Sequence, residues 1–197
     1  FDLSKTESEN SQKVLLYDSL KISDEELELL YKAVEQICSP FGDNDDNTNR
    51  KKLVTSVILN RAMSAKFPNS VSKVLSQKHQ FENMDSIKKA DDVTVSDSTK
   101  QAVDTVVVGG DCAQRSVYFA KPSTAKKNKW DEKYKFTFND GDKSDNSFNY
   151  YTIEEIESEL AKYETTISGN VTKASLSAQK IIKWANSQVG KSEFENK

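Results

Sequence analysis

Histidine and cysteine are scarce in this chain of 197 residues, which holds one imidazole, His79, and two thiols, Cys38 and Cys112. With no Cys-x-x-Cys pair and no Cys/His cluster there is no ligand set for a zinc site, and neither a metal nor another cofactor is expected. The same scarcity argues against a papain-like nucleophile, since His79 lies in a polar stretch and no motif surrounds either cysteine. Long apolar runs are missing too: nothing approaches the roughly 18 residues of a membrane span, and no charged-then-apolar leader opens the chain. Nor does one sign of charge prevail. The 28 basic and 31 acidic residues are interspersed apart from small clusters such as Asp43 to Asp46 and Lys126 to Lys129, so no stripe for nucleic acid emerges. An acidic pI near 5.4 argues against strong nonspecific attraction to anionic polymers. The first residue is Phe1 rather than Met, and the chain reads as a processed or excised piece of something longer.

What is present suffices for one core. A hydrophobic content of 36% can fill a single domain with a small appendage, and 30% charged residues solvate its surface; a monomer is expected. Ser23-Asp-Glu-Glu26 has the form of a capping box, and Leu27, Leu30, Tyr31, Val34 and Cys38 then recur at helical spacing up to Pro40. Phe41 to Asn49 is acidic and turn-forming, which predicts a surface loop. A second helix follows from about Arg50 to Met63, so apolar over Leu53 to Leu59 that it should be buried on most sides. Phe67-Pro68 breaks the chain, and Asn69 or Ser70 caps a short helix through Leu75. Ser96-Asp-Ser98 starts another helix that Gly109-Gly110 stops. Ser116 to Phe119 and Tyr134 to Phe138 have strand character and suggest a small hairpin or flap. Thr152-x-x-Glu155 caps a helix to Tyr163, Ser168-Gly169-Asn170 reads as a linker, and an amphipathic helix spans about Lys173 to Gln188. The expected class is α+β, mainly helical, with residues 1–22 as a lead-in, 23–168 as the domain, and 169–197 as linker and terminal helix. Cys38 and Cys112 are two thiols or one disulfide of the kind exported proteins use; the sequence does not give the Cα separation a bridge requires.

One stretch carries more than architecture. Glu35 sits on the first amphipathic helix, flanked by Val34 and Ile37, where apolar neighbours can keep a carboxyl group protonated near neutrality. It is followed by Val57-Ile-Leu-Asn60-Arg61, Phe67-Pro68-Asn-Ser-Val71 and Gln80-Phe81, then Gly109-Gly110-Asp111 and Val117-Tyr118-Phe119-Ala-Lys-Pro122. In this order, over roughly Leu27 to Tyr151, the segments resemble the SleB-type cell-wall hydrolases, which include spore-cortex-lytic enzymes and related bacterial and phage lysins. The chain departs from that pattern in its longer loop between Glu35 and Lys52, and in Asn146-Ser-Phe148-Asn-Tyr-Tyr151, which lacks the family's late histidine. It departs again at Asp111-Cys112, where a Pro-Thr is common.

The resemblance implies a lysozyme-like fold with a small β-hairpin or flap, and peptidoglycan glycan strands as substrate. Glu35 would be the acid that protonates the leaving oxygen of the β-1,4 bond. Enzymes of this kind act as lytic transglycosylases, in which one glutamate serves as acid and then as base and a 1,6-anhydro sugar is released. A hydrolytic muramidase would instead need a second carboxylate, for which Asp43, Asp45, Asp46 and Asp111 are available, and a noncatalytic wall-binding or assembly module is the rival outside enzymes. Gln80, Phe81, Tyr118, Tyr150 and Tyr151 would supply amides and flat faces for sugars; Phe119, on the opposite strand face from Tyr118, belongs to the core. Asn60 and Arg61 read as holders of nearby backbone, and Trp130 as a lid or a packed anchor. The implied location is extracellular, at the cell wall, or phage-derived and delivered to the wall. Ala178 to Lys191 resembles the opening helix of NlpC- and CHAP-type peptidases, which implies a C-terminal peptidase domain in a two-enzyme lysin; a terminal helix docked on the glycosidase is the other reading.

Overall fold

The first long helix, α1 (Asp24–Cys38), starts at the predicted box: Ser23 Oγ accepts the Glu26 N–H at 3.1 Å, and the Glu26 carboxylate accepts from Ser23 N at 3.4 Å. It belongs to a computed structural model that describes residues 12–77 and 93–167. Gln80, Phe81, the linker at 168–170 and the helix expected from Lys173 to Gln188 lie outside the described residues. Leu30, Ala33, Val34 and Cys38 form the buried side of α1.

Helix α2 (Asp45–Met63) begins five residues earlier than its apolar centre suggests. Asn44 caps it by accepting the Asn47 N–H at 2.8 Å, and Asp45 and Asp46 place negative charge in the first turn, where the helix dipole favours it. Residues expected in a loop therefore form a helical turn, and Asn47 is fully buried, donating to the carbonyls of Cys38 and Gly42. From Leu53 to Ala62 every residue of α2 is buried, as its apolar run predicts. Each such aliphatic side chain stabilises the fold by about 1.5–3 kcal/mol.

The short α3 (Val71–Leu75) follows the Phe67-Pro68 break under a Ser70 cap. Helix α4 (Asp97–Gly109), capped by Ser96, packs against both α1 and α2. It ends at Gly110, whose φ of 92° and whose position leave no room for a side chain: a Cβ there would lie 2.5 Å from the Leu15 carbonyl oxygen. That close approach lets Asp111 N–H donate to Leu15 O at 2.9 Å and ties α4 to strand β1 (Gln12–Leu15).

Two antiparallel sheets complete the fold. Strand β1 pairs with β5 (Glu164–Ile167), Leu15 opposite Glu164; the sequence pattern predicts neither strand. The other sheet has the order β2-β4-β3, from β2 (Tyr118–Ala120), β3 (Lys135–Asn139) and β4 (Asn149–Thr152). The two predicted strands thus do not form a hairpin with each other. Both pair with β4, whose Tyr151 lies opposite Tyr118 on one side and Phe136 on the other. Thr137 is bulged between two paired residues, and its hydroxyl donates to the Tyr150 carbonyl. Helices α5 (Pro122–Lys127) and α6 (Trp130–Lys133) lie between β2 and β3, and α7 (Glu154–Ala161) follows β4. The Thr152 box expected at α7 does not form: Thr152 belongs to β4, and Ile153 takes the cap position without a side-chain bond. The class is mainly helical α+β, as predicted.

One ion pair joins the helices to the three-stranded sheet. Arg50 in the second turn of α2 donates from Nε and Nη2 to the two carboxylate oxygens of Asp140, at 3.0 and 3.1 Å, with both side chains nearly sealed from solvent. Nη2 also donates to Asn146 O at 2.9 Å, while Asp140 accepts from Phe148 N–H and Tyr150 OH. Arg50 therefore closes the β3–β4 connection onto α2. The Asp140→Ala variant leaves this guanidinium buried and uncompensated, so a loss of about 3–5 kcal/mol is expected, read as a lower midpoint in urea unfolding.

The turn after Asp111 has a different demand. Gln114 and Arg115 are consecutive left-handed residues at φ 51° and 59°, held by Asp111, whose carboxylate accepts the N–H groups of Ala113 and Arg115. The exposed Gln114 tolerates glycine, whereas a β-branched residue there should destabilise by about 1–2 kcal/mol. Thermal unfolding of Gln114→Gly and Gln114→Val is expected to rank them in that order.

Candidate active site

Glu35 stands one turn before the end of α1, with fully buried Val34 and Cys38 on its inner side and its own side chain partly exposed. Its carboxylate reaches the first turn of α4. Oε1 accepts the Ser96 N–H at 2.7 Å, and Oε2 accepts from Thr99 Oγ1 at 3.0 Å. Ser96 Oγ in turn accepts the Thr99 N–H at 3.2 Å and lies 3.0 Å from Thr99 Oγ1. Both carboxylate oxygens are thus fixed by a helix start, a site that favours an acceptor. Thr99 is fully buried, and a hydroxyl can donate or accept by rotation. If Glu35 takes up a proton, Thr99 can accept it in a hydrogen bond while Ser96 N–H still donates. The arrangement accommodates either protonation state without moving the carboxyl group.

Other sequence-predicted carboxylates are employed elsewhere. Asp43 is exposed, and Asp45 and Asp46 are exposed residues of the α2 first turn. Asp111 binds its own turn and accepts from Asn60 Nδ2 at 3.1 Å. Asp140, unmentioned by any motif, serves Arg50.

The aromatic residues divide in a way the sequence did not foresee. Tyr150 and Tyr151, expected to offer ring faces to sugars, are 0% and 1% exposed. Tyr150 stacks on Phe138 and gives its hydroxyl to Asp140, and burial holds that phenol neutral well above its usual range. Tyr151 packs edge-on against Trp130 and Phe136. Phe119 and Phe138 pack around Tyr150, and Trp130, Tyr134 and Phe136 around Tyr151, so neither presents a face to a ligand. Tyr118 is partly exposed, stacked on Tyr134 with centroids 4.1 Å apart, and strand alternation sends Phe119 the other way, onto Phe148. Trp130 is an anchor rather than a lid, making edge contacts with Tyr118, Tyr134 and Tyr151.

Asn60 and Arg61 hold backbone, as their place at the end of a buried helix suggests. Asn60 Nδ2 donates to Ser116 O at 3.0 Å, its Oδ1 accepts the Tyr17 hydroxyl, and Arg61 Nε donates to Val117 O. Burial draws the Arg61 guanidinium down to about 10.

A polar groove of about 620 Å³ lies between β1, the Asp111 turn, β3 and α7, lined among others by Leu15, Cys112, Arg115, Phe136 and Glu157. Glu35 does not line it. The two sites are separated by the length of α4, roughly 20 Å at 1.5 Å per residue. Among the described residues no group of His, Cys, Asp and Glu is placed to hold a metal ion, and no helix is long and apolar enough to cross a membrane.

Cys38 and Cys112 do not form a disulfide. Cys38 is buried at the end of α1, while Cys112 is exposed, its Sγ 3.1 Å from Ser56 Oγ. Burial pushes the Cys38 thiol far up. Iodoacetamide at neutral pH is therefore expected to alkylate Cys112 in the native protein and to reach Cys38 only after unfolding, as peptide mass analysis would record.

Comparison with known proteins agrees with this frame. Residues 45–142 match the family described as Cell Wall Hydrolase, a segment that begins after Glu35 and ends before Tyr150. The fold is similar to the catalytic domain of the germination-specific lytic transglycosylase SleB from Bacillus anthracis, with a TM-score of 0.53 and 25% identity, covering 66% of this chain and 96% of that one. No curated protein matches the chain.

Proposed function

Because the chain belongs to the cell-wall hydrolase family and is a peptidoglycan glycosidase, we propose that it cuts the β-1,4 bond between N-acetylmuramic acid and N-acetylglucosamine, with Glu35 as its one acid and base. The observation that carries this reading is the Glu35 carboxyl group held between Ser96 N–H and Thr99 Oγ1.

In the first step the Glu35 carboxyl donates its proton to the glycosidic oxygen as the C1–O bond breaks, and positive charge builds on the muramic ring. The departing N-acetylglucosamine keeps that proton as its hydroxyl. In the second step the muramic 6-hydroxyl attacks C1, and the Glu35 carboxylate takes its proton, which restores the acid and leaves a 1,6-anhydro end. Each step changes the protonation of one carboxyl group, and the Thr99 hydroxyl follows by reversing its hydrogen bond. The engagement of Asp111 and Asp140 in backbone and arginine contacts supports a single-carboxylate mechanism. Tyr118, partly exposed, stays a candidate for stacking on a sugar, and Gln80 and Phe81 for binding it. The protein acts at the wall, outside the cytoplasm or delivered by a phage, either by itself or joined to a C-terminal peptidase domain.

Glu35→Gln is the discriminating variant because its amide can still accept from Ser96 N–H and donate to Thr99 Oγ1, so α4 keeps its side-chain partner. With purified peptidoglycan and mass spectrometry of soluble products, the parent is expected to release anhydro-muropeptides, and the folded variant about 10²–10⁴-fold less. Reducing-end products would assign a muramidase, with water in place of the 6-hydroxyl. Absence of release from several wall types would favour a binding module.

A further inference from the structure

The charge of the chain is segregated in a way its total conceals. Residues 121–135 hold six lysines against Asp131 and Glu132, and two acids from elsewhere approach them, Asp145 at Ser123 and Glu157 at Lys135, which leaves a local +2 inside a chain of −3. All six lysines are exposed. Lys126, Lys127, Lys129 and Lys133 make no ion pair among the described residues, and Asp131 is drawn aside to accept the Tyr151 hydroxyl at 3.2 Å. Ordinary surface lysines are diluted by acids of their own neighbourhood, as Lys66 and Lys135 are by Glu155 and Glu157. Here four unpaired ammonium groups occupy two short helices and the turn between them.

The position of this face narrows its partner. Its near end, Lys121, has Nζ 5.9 Å from the centre of the Phe41 ring, and Phe41 closes the turn that directly follows the helix bearing Glu35. The same Phe41 ring lies under the Arg50 guanidinium at 4.2 Å. The far end reaches Lys133, past the ring of Trp130 and the Tyr118–Tyr134 stack. The lysine face thus begins beside the turn that follows the helix bearing Glu35. Lysine alone, with no arginine, gives mobile point charges rather than a fixed fork for one anion, which suits an array of anions carried on flexible arms.

We propose that the lysine face of α5, α6 and their flanks docks the carboxylates of the peptide stems borne by the glycan strand, so that the protein binds peptide-bearing strands in preference to bare ones. This inference rests on peptidoglycan being the substrate, as the proposed function has it. The ligand is anionic, repeated at each muramic residue, and attached to the strand being cut, so no second polymer is required. The overall acidity of the chain opposes nonspecific adhesion while the local field favours this face.

The test uses the Glu35→Gln protein, which separates binding from turnover, and cosedimentation with insoluble wall material. The reversal variant Lys126→Glu/Lys127→Glu/Lys129→Glu alters exposed side chains only, and its thermal midpoint verifies folding. Retention at low salt is expected to fall on the order of tenfold on reversal, to fall likewise with added salt, and to fall equally when an amidase has removed the stems. The reversal variant with Glu35 intact should release products from bare strands at the parental rate. Retention unaffected by charge reversal overturns the proposal. So does retention that survives stem removal but disappears when phosphodiester polymers are stripped from the wall, which would assign the face to that other polyanion. If the parent releases no product while the stem-dependent binding holds, the catalytic reading fails and the docking face stands.

Discussion

The buried pair between Arg50 and Asp140 sets the relation between the two halves of the structure. Arg50 belongs to the beginning of α2, and Asp140 directly follows β3, 90 residues away. Around them converge Asn47, Asn146, Phe148 and Tyr150 through hydrogen bonds, with Phe41 beneath the guanidinium. A charge removed from water needs hydrogen-bond partners, and these meet four of the five guanidinium N–H directions. The result is that the β3–β4 connection is held against the turn that follows α1. The pair thus fixes the turn at Phe41 that closes α1, while Glu35 itself is held by α4.

The Glu35 site shows how a helix start can serve as a support. The opening turn of a helix exposes N–H groups that need acceptors, and α4 receives one from a neighbouring helix as well as from its own Ser96. The carboxyl group gains orientation, and α4 gains an extra partner where it crosses α1. Tyr31 and Asp104, hydrogen-bonded farther along the same two helices, add a second polar link, and burial pushes the Asp104 carboxyl up from its ordinary range. Fixed orientation is what acid–base chemistry requires of a side chain.

The architecture also keeps its polar regions distinct. The Asp111 turn, with Asn60 and Tyr17 behind it, builds a rigid wall for a groove at the far end of α4, while the lysine face runs along α5 and α6. Gly110 makes the first of these possible by letting β1 approach the helix end more closely than any side chain would permit. Two left-handed residues then turn the chain toward β2, held by one aspartate.

Local physics was legible in the sequence: the box at Ser23, the buried run of α2, the Phe67-Pro68 break and the stop at Gly110 all follow from contacts within a few residues. The motif order from Glu35 to Pro122 likewise carried the family and its fold. What failed depended on partners distant in sequence. Asp45 to Asn49 have turn-forming residues, yet they are helical, with Asn44 as cap and Asn47 donating to buried carbonyls at Cys38 and Gly42. Tyr150 and Tyr151 have the character of ligand-binding rings, yet Phe119, Phe138, Trp130 and Phe136, distant in sequence or on other strands, pack over them. The Thr152 box yields to a sheet position, and β1 finds its strand partner about 150 residues later. The sequence by itself determined the centres of the longer helices, the apolar core and a glutamate near the end of a helix, because these need only periodicity and short-range capping. Tertiary structure alone decided which aromatics remain accessible, that Ser96 and Thr99 hold Glu35, and that Asp140 neutralises Arg50, because each depends on groups brought together across tens of residues.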